Sequence, residues 1–153
     1  MGFLKSLFKG KDSELPHPNE IAVKRITEFA EAIMKECGKT FFVEDGLEKQ
    51  VLCCYCFGAI HVFAKQYNLQ PPDLHAITLA FLHKSMGYSA KASASQAQLF
   101  IDSVSDPSSD NTYKAIMHRG IDGFLCWQNE KSNFKALDFK DVLRILKKHQ
   151  IGQ

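Results

Sequence analysis

The stretch Leu52-Cys53-Cys54-Tyr55-Cys56-Phe57-Gly58-Ala59-Ile60-His61 sets three cysteines and a histidine within ten residues. A metal site, a redox pair and a piece of buried core would each lead to a different molecule. On a helix, Cys53 and Cys56 share one face, while Cys54 and His61 share another. No single face gathers all four. Their neighbours Val51, Leu52, Tyr55, Phe57 and Ile60 are apolar, whereas structural zinc draws its cysteine pairs from polar or glycine-flanked turns, and no second pair follows. A thioredoxin-like pair needs its first cysteine at a helix N-terminus, and Cys53 falls inside the periodic segment. The stretch reads best as the middle of a helix, Leu47 to Tyr67, packed on nearly every side, with free thiols serving as small apolar side chains. No metal or cofactor is expected.

Helical patterns continue in both directions. Upstream, Val23, Ile26, Ala30, Ile33, Met34 and Cys37 repeat at the helical period, with Asn19 offered as the cap and Gly38 placed to end the helix. Thr40 to Gly46 reads as a short extended or turn segment. Downstream, Asn68 to Pro72 breaks the central helix. Asp73 can cap the next one, where Leu74, Ile77, Phe81 and Leu82 form a stripe that Gly87 stops. Ser89 caps an alanine-rich helix from Ala90 to Val104, whose Ala92, Ala94 and Ala97 would admit a close neighbour. Asp106 to Asp110 is a loop. Tyr113, Ile116, Met117, Gly120, Ile121, Phe124 and Leu125 then repeat as an inward stripe. Gln128 to Leu137 is polar, and a last helix from about Asp138 turns Phe139, Val142, Leu143 and Leu146 inward. Strand patterns are scarce. The expectation is an all-α, single-domain bundle of six or seven helices with short loops. Its central hairpin is expected to pair Leu47–Tyr67 with Asp73–Met86. Residues 1–18 would be an amphipathic segment and linker, and residues 19–153 the helical domain.

Length and composition fit one soluble domain: 153 residues, 45% apolar and 24% charged. A net charge of +2 gives no bulk electrostatic case for nucleic acid. The charge is uneven, +3 over residues 1–11, +4 over residues 131–153 and −5 between them. That acidic body suits a cationic partner. Five cysteines without disulfide-like spacing point to free thiols and a cytoplasmic setting. The longest apolar run, Val51 to Ala64, is 14 residues, too short for stable membrane insertion. Phe3, Leu4, Leu7 and Phe8 share one helical face at the N-terminus, able to dock on the body or touch a membrane surface, and Met1-Gly2 with Ser6 fits a myristoylation pattern.

The segment Ile116-Met117-His118-Arg119-Gly120-Ile121-Asp122-Gly123-Phe124-Leu125-Cys126-Trp127 carries the sharpest candidate site. His118 and Asp122 are four apart and Arg119 and Asp122 three apart, so they can brace one another on the helix surface. Glycines inside a helix cost about 1 kcal/mol each against alanine, which a close helix crossing at Gly120 and Gly123 would offset. His118, Arg119, Asp122 and Trp127 are the candidate partner-binding residues. No phosphate loop, metalloprotease motif or nucleophile elbow appears. The histidines His17, His61, His75, His83, His118 and His149 leave a small enzyme with a Cys–His site as one alternative. A helical adaptor is another.

From Tyr55 to Gln128 the order of parts resembles an all-helical immunity-protein family of bacterial polymorphic toxin systems. The resemblance rests on Phe57-Gly58, the Asn68-Leu69 break, Asp73-Leu74-His75-Ala76, Met86-Gly87-Tyr88-Ser89 and, most specifically, Ile116 to Gly123. It implies a non-enzymatic protein that binds and blocks a cognate toxin. The tail from Asn129 lies outside the resemblance, and no binding residues are carried over from it.

Overall fold

The computed structural model describes residues 17–38, 46–107 and 111–151, side chains of 149–151 aside. Over these residues the fold is all-α, with six α-helices: α1 Pro18–Cys37, α2 Leu47–Gln66, α3 Pro71–Ala80, α4 Ala90–Ser105, α5 Thr112–Asn129 and α6 Leu137–Ile151. A single π-helical turn, Phe81–Ser85, prolongs α3, and a short 3₁₀ turn, Lys131–Asn133, precedes α6. The N-terminal apolar face at Phe3 to Phe8 and the extended segment expected at Thr40 fall outside the described residues.

The helix ends follow local chemistry, with two corrections. His17, not Asn19, caps α1: its Nδ1 accepts the Asn19 N–H at 3.0 Å. The Asn19 side chain instead donates to Asp73 Oδ1 at 3.3 Å, tying α1 to α3. Likewise α3 begins at Pro71, a residue preset for the first helical turn. Asp73 is therefore inside the helix and reaches back to accept the Gln70 N–H at 3.3 Å. The other caps stand as read. Gly38 is left-handed at φ 73° and closes α1 on the Lys35 and Met34 carbonyls. Ser89 Oγ accepts the Ala92 N–H at 3.0 Å.

The core gathers on α2. Every residue from Val51 to Ile60 is buried, Cys53, Cys54 and Cys56 among them. The most extensive helix contact in the described residues is α2 against α5, and not the expected hairpin with α3. The two helices run in the same direction. Near their starts, Gln50 Nε2 donates to the Tyr113 hydroxyl at 3.2 Å and the Cys54 thiol to the Tyr113 carbonyl at 3.2 Å. Near their ends, the Gln66 and Gln128 amides exchange hydrogen bonds at 3.2 and 3.3 Å. Helices α3 and α4 make the return path between them.

Glycines set how closely α2 and α5 approach. A Cβ on Gly120 would fall 1.9 Å from the Tyr55 carbonyl oxygen, and one on Gly58 would fall 2.1 Å from the Met117 carbonyl oxygen. Gly123 makes room for the Tyr55 phenol, which a Cβ would meet at 2.2 Å. The opening stretch is thus one half of a backbone-to-backbone crossing. An aromatic group closes one side of it, where Phe29 from α1 packs against Tyr55, Phe124, Trp127 and Phe134.

Candidate functional site

Of the four residues singled out on α5, two face solvent and two are built into the fold. Trp127 is 5% exposed. Its ring packs on Phe29 and Phe124, with the Lys131 ammonium 4.7 Å from its centroid. The polar sequence around it gives a different impression, because its core partners come from α1 and from farther up its own helix.

Arg119 does not brace Asp122. It turns across to α6, where Nε and Nη2 donate to Asp138 Oδ1 at 2.9 and 2.5 Å and Nη2 also reaches Asp141 Oδ2 at 3.3 Å. Asp138 accepts the Tyr55 hydroxyl as well, at 2.8 Å. Arg144 donates to Asp141 at 2.5 Å, and Lys147 pairs with Glu48. These contacts fasten α6 across the α2–α5 crossing. Hydrogen bonds from Arg144 and Arg119 hold the Asp141 carboxyl below its ordinary range. Burial, reinforced by Asp138, pushes the Tyr55 phenol well up, so it stays a neutral donor. The Arg119 side chain remains part-exposed at 39%, while its Nε and Nη2 donors are engaged within the chain.

His118 and Asp122 are exposed on the outer side of α5. Leu125 continues that row one turn on and is 38% exposed, although its place in the periodic pattern had put it inward. The glycine crossing turns Gly120, Gly123 and Phe124 toward α2 and leaves Leu125 outside. The Gln66–Gln128 amide pair closes the lower end of the two helices, next to Tyr67, which is 52% exposed and stacked on Phe63. His118, Asp122 and Leu125 thus form an ordered row carrying a titratable ring, a carboxylate and an apolar side chain. Sequence reading singled out the first two as candidates. Leu125 was hidden in the apolar run Phe124 to Trp127, and Tyr67 at the end of the helix read as packed on nearly every side.

One buried group borders the row. Nε2 of His61 is buried and has no hydrogen-bond partner among the described residues, and its ring packs edge-on against Phe57 at 4.6 Å. Burial, and then the nearby His118, lower its pKa from the usual 6.5. The folded state therefore binds protons less readily than the unfolded chain does. The resulting stability is complete above pH 6.5 and is lost as pH falls through the lower folded value. Melting temperature is expected to fall on acidification from pH 7, and His61→Gln is expected to flatten that part of the profile. Equal slopes in thermal melts of the two proteins would contradict this origin.

Burial pushes the Cys53 and Cys54 thiols up to about 12 and raises Cys56 as well, which favours the neutral thiol at each. Cys126 is the exposed thiol among the described cysteines. No group of three or more His, Cys, Asp or Glu side chains is disposed to hold a metal ion among the described residues. No described helix is long and apolar enough to cross a membrane.

A parallel glycine crossing, roofed by a latched C-terminal helix and carrying an exposed row on one of its two helices, defines an all-α helical bundle. The family model for immunity protein 48 matches residues 21–147, and the chain belongs to that family. The match takes in most of α1 and α6 as far as Lys147, so residues 129–147 of the C-terminal tail that the sequence resemblance had left out are part of the family's domain. Neither the curated proteins nor the solved structures hold a significant match.

Proposed function

We propose that this protein is a non-enzymatic, cytoplasmic immunity protein of a bacterial polymorphic toxin system, which binds a cognate toxin domain and blocks it. Family membership over residues 21–147 carries the reading. The architecture suits it: a scaffold held by close crossings and ion pairs presents exposed side chains with little reordering on binding, which favours affinity. The contact face we assign is the outer row of α5, His118, Asp122 and Leu125, with Tyr67 at its lower end. It combines apolar anchors with charge, as interface hot spots do. The net −5 of residues 12–130 suits a basic toxin surface, where complementary charge speeds encounter. Neither nucleic acid nor a lipid bilayer is needed as a partner.

Co-expression with the toxin encoded beside it is the direct test. Growth is expected to be restored, and the two proteins are expected to co-elute as a stable complex. Cells that still die, together with purified proteins that elute apart, would end the proposal.

A further inference from the structure

Helix α6 carries an apolar knob and borders an apolar hole. The knob is Leu137, at 71% the most exposed large apolar side chain among the described residues. It follows Ala136, which is 3% exposed and held at φ 52°, a left-handed conformation that costs energy in any residue but glycine. Such a bend persists where its surroundings impose it, and here it seats the Ala136 methyl in the core and starts α6 with Leu137 in solvent. The hole is a groove of about 230 Å³ between α5 and α6. Ile116 and Val142, each 5% exposed, floor it, Ala115, Ile145 and Leu146 wall it, and Arg119 stands at the end nearest its partner Asp138. Small-molecule sites run to roughly 300–1,000 Å³, so this one has room for a side chain and little more. Its α5 wall lies on the α6 side of that helix, beside the row assigned to the toxin.

We propose that a second copy of this chain fills the groove with its Leu137, the two α6 helices lying antiparallel about a two-fold axis at Asp141. Leu137, Asp141 and Ile145 are spaced four apart and form one row along α6. An antiparallel pair centred on Asp141 sets Leu137 of each copy opposite Ile145 of the other, so both knobs meet both holes at once. Knob and hole are about 12 Å apart along the helix. A second copy matches that spacing by construction, whereas a foreign surface would have to reproduce it. Charge fits the same register. Arg144, 65% exposed, comes to stand opposite Asp138 of the second copy, which is 38% exposed. Each Asp141 at the axis is already paired with its own Arg119 and Arg144, so the four charged groups of each copy sum to zero there. The 15 residues of α6 are about 22 Å long and a two-helix face is about 20 Å wide, which offers roughly 400 Å² per copy. A standard interface takes about 800 Å² per partner, so this dimer is weak, with a dissociation constant on the order of 0.1 mM.

The test is sedimentation equilibrium of the full chain from about 10 μM to about 1 mM, a range that brackets that constant. The wild type is expected to pass from monomer toward dimer across it. Leu137→Lys, which brings an ammonium group to the hole, and Ala115→Arg, which fills it, are each expected to weaken association at least about tenfold. Both sites are exposed, so the melting temperature of each variant is expected to match that of the wild type. A wild type that stays monomeric over the whole range would overturn the proposal. So would a dimer that survives Leu137→Lys, since the contact would then lie on another face. A dimer that Leu137→Lys breaks and Ala115→Arg leaves whole would overturn it too, because the knob would then sit outside the groove. No toxin enters the experiment, so its outcome is separate from that of the immunity reading.

Discussion

Gly120→Ala is expected to lower stability by about 3 kcal/mol or more, or to leave no folded protein, which overpacking of a site that cannot relax predicts. The added Cβ would lie 1.9 Å from the carbonyl oxygen of Tyr55 and 2.7 Å from its carbon. Both are main-chain atoms in the middle of a buried helix, so no side-chain rotation relieves the overlap. The helices must part, and with them the most extensive contact of the described fold. Against this stands a gain of about 1 kcal/mol in helix propensity, which is too small to reverse the sign. Two companions separate crowding from backbone effects. Gly123→Ala meets the Tyr55 phenol, a side chain, and is expected to cost less than Gly120→Ala. Gly38→Ala meets open space but sits at φ 73°, so it is expected to cost about 1 kcal/mol through backbone strain alone. Urea unfolding followed by circular dichroism ranks the three. A Gly120→Ala protein as stable as the wild type would mean that α2 and α5 do not cross at this distance.

That crossing marks both the reach and the limit of sequence reading here. Two helix-interior glycines three apart demand a close neighbour, and a segment apolar on nearly every side places the central helix. Which helix answers the glycines cannot be read from periodicity. Asn68 to Pro72 is a short break, and a short break between two helices suggests a hairpin. The actual partner, Thr112–Asn129, lies beyond two further helices and runs parallel, so no local signal announces it. The candidate site divides along the same line. His118 and Asp122 are exposed, as their polarity alone suggests. Arg119 looked like part of that surface because Asp122 is three residues away, whereas its partners Asp138 and Asp141 are 19 and 22 residues away on α6. Trp127 was misplaced for a related reason. Its neighbours in sequence are polar, and its neighbours in space are Phe29 and Phe124.

This division between latch and face yields the second large effect. The variant Asp122→Lys/Leu125→Glu is expected to weaken toxin binding at least about a hundredfold, or roughly 2.7 kcal/mol, the range lost when a hot-spot carboxylate becomes a like charge to a basic partner and an apolar anchor becomes a charge that must be desolvated. Its melting temperature is expected to stay close to that of the wild type, since both side chains are exposed and substitutions at such sites rarely exceed about 0.5 kcal/mol. Arg119→Ala should do the reverse. It leaves Asp138 and Asp141 without the guanidinium that joins α5 to α6, so stability falls while affinity, measured well below the transition, changes little. Titration calorimetry against the toxin and thermal melts of the same two proteins give the four numbers required. If Asp122→Lys/Leu125→Glu binds as the wild type does, the toxin seats elsewhere on the scaffold. If Arg119→Ala loses affinity without losing stability, the guanidinium is a contact after all, and the face extends from the outer row of α5 toward α6.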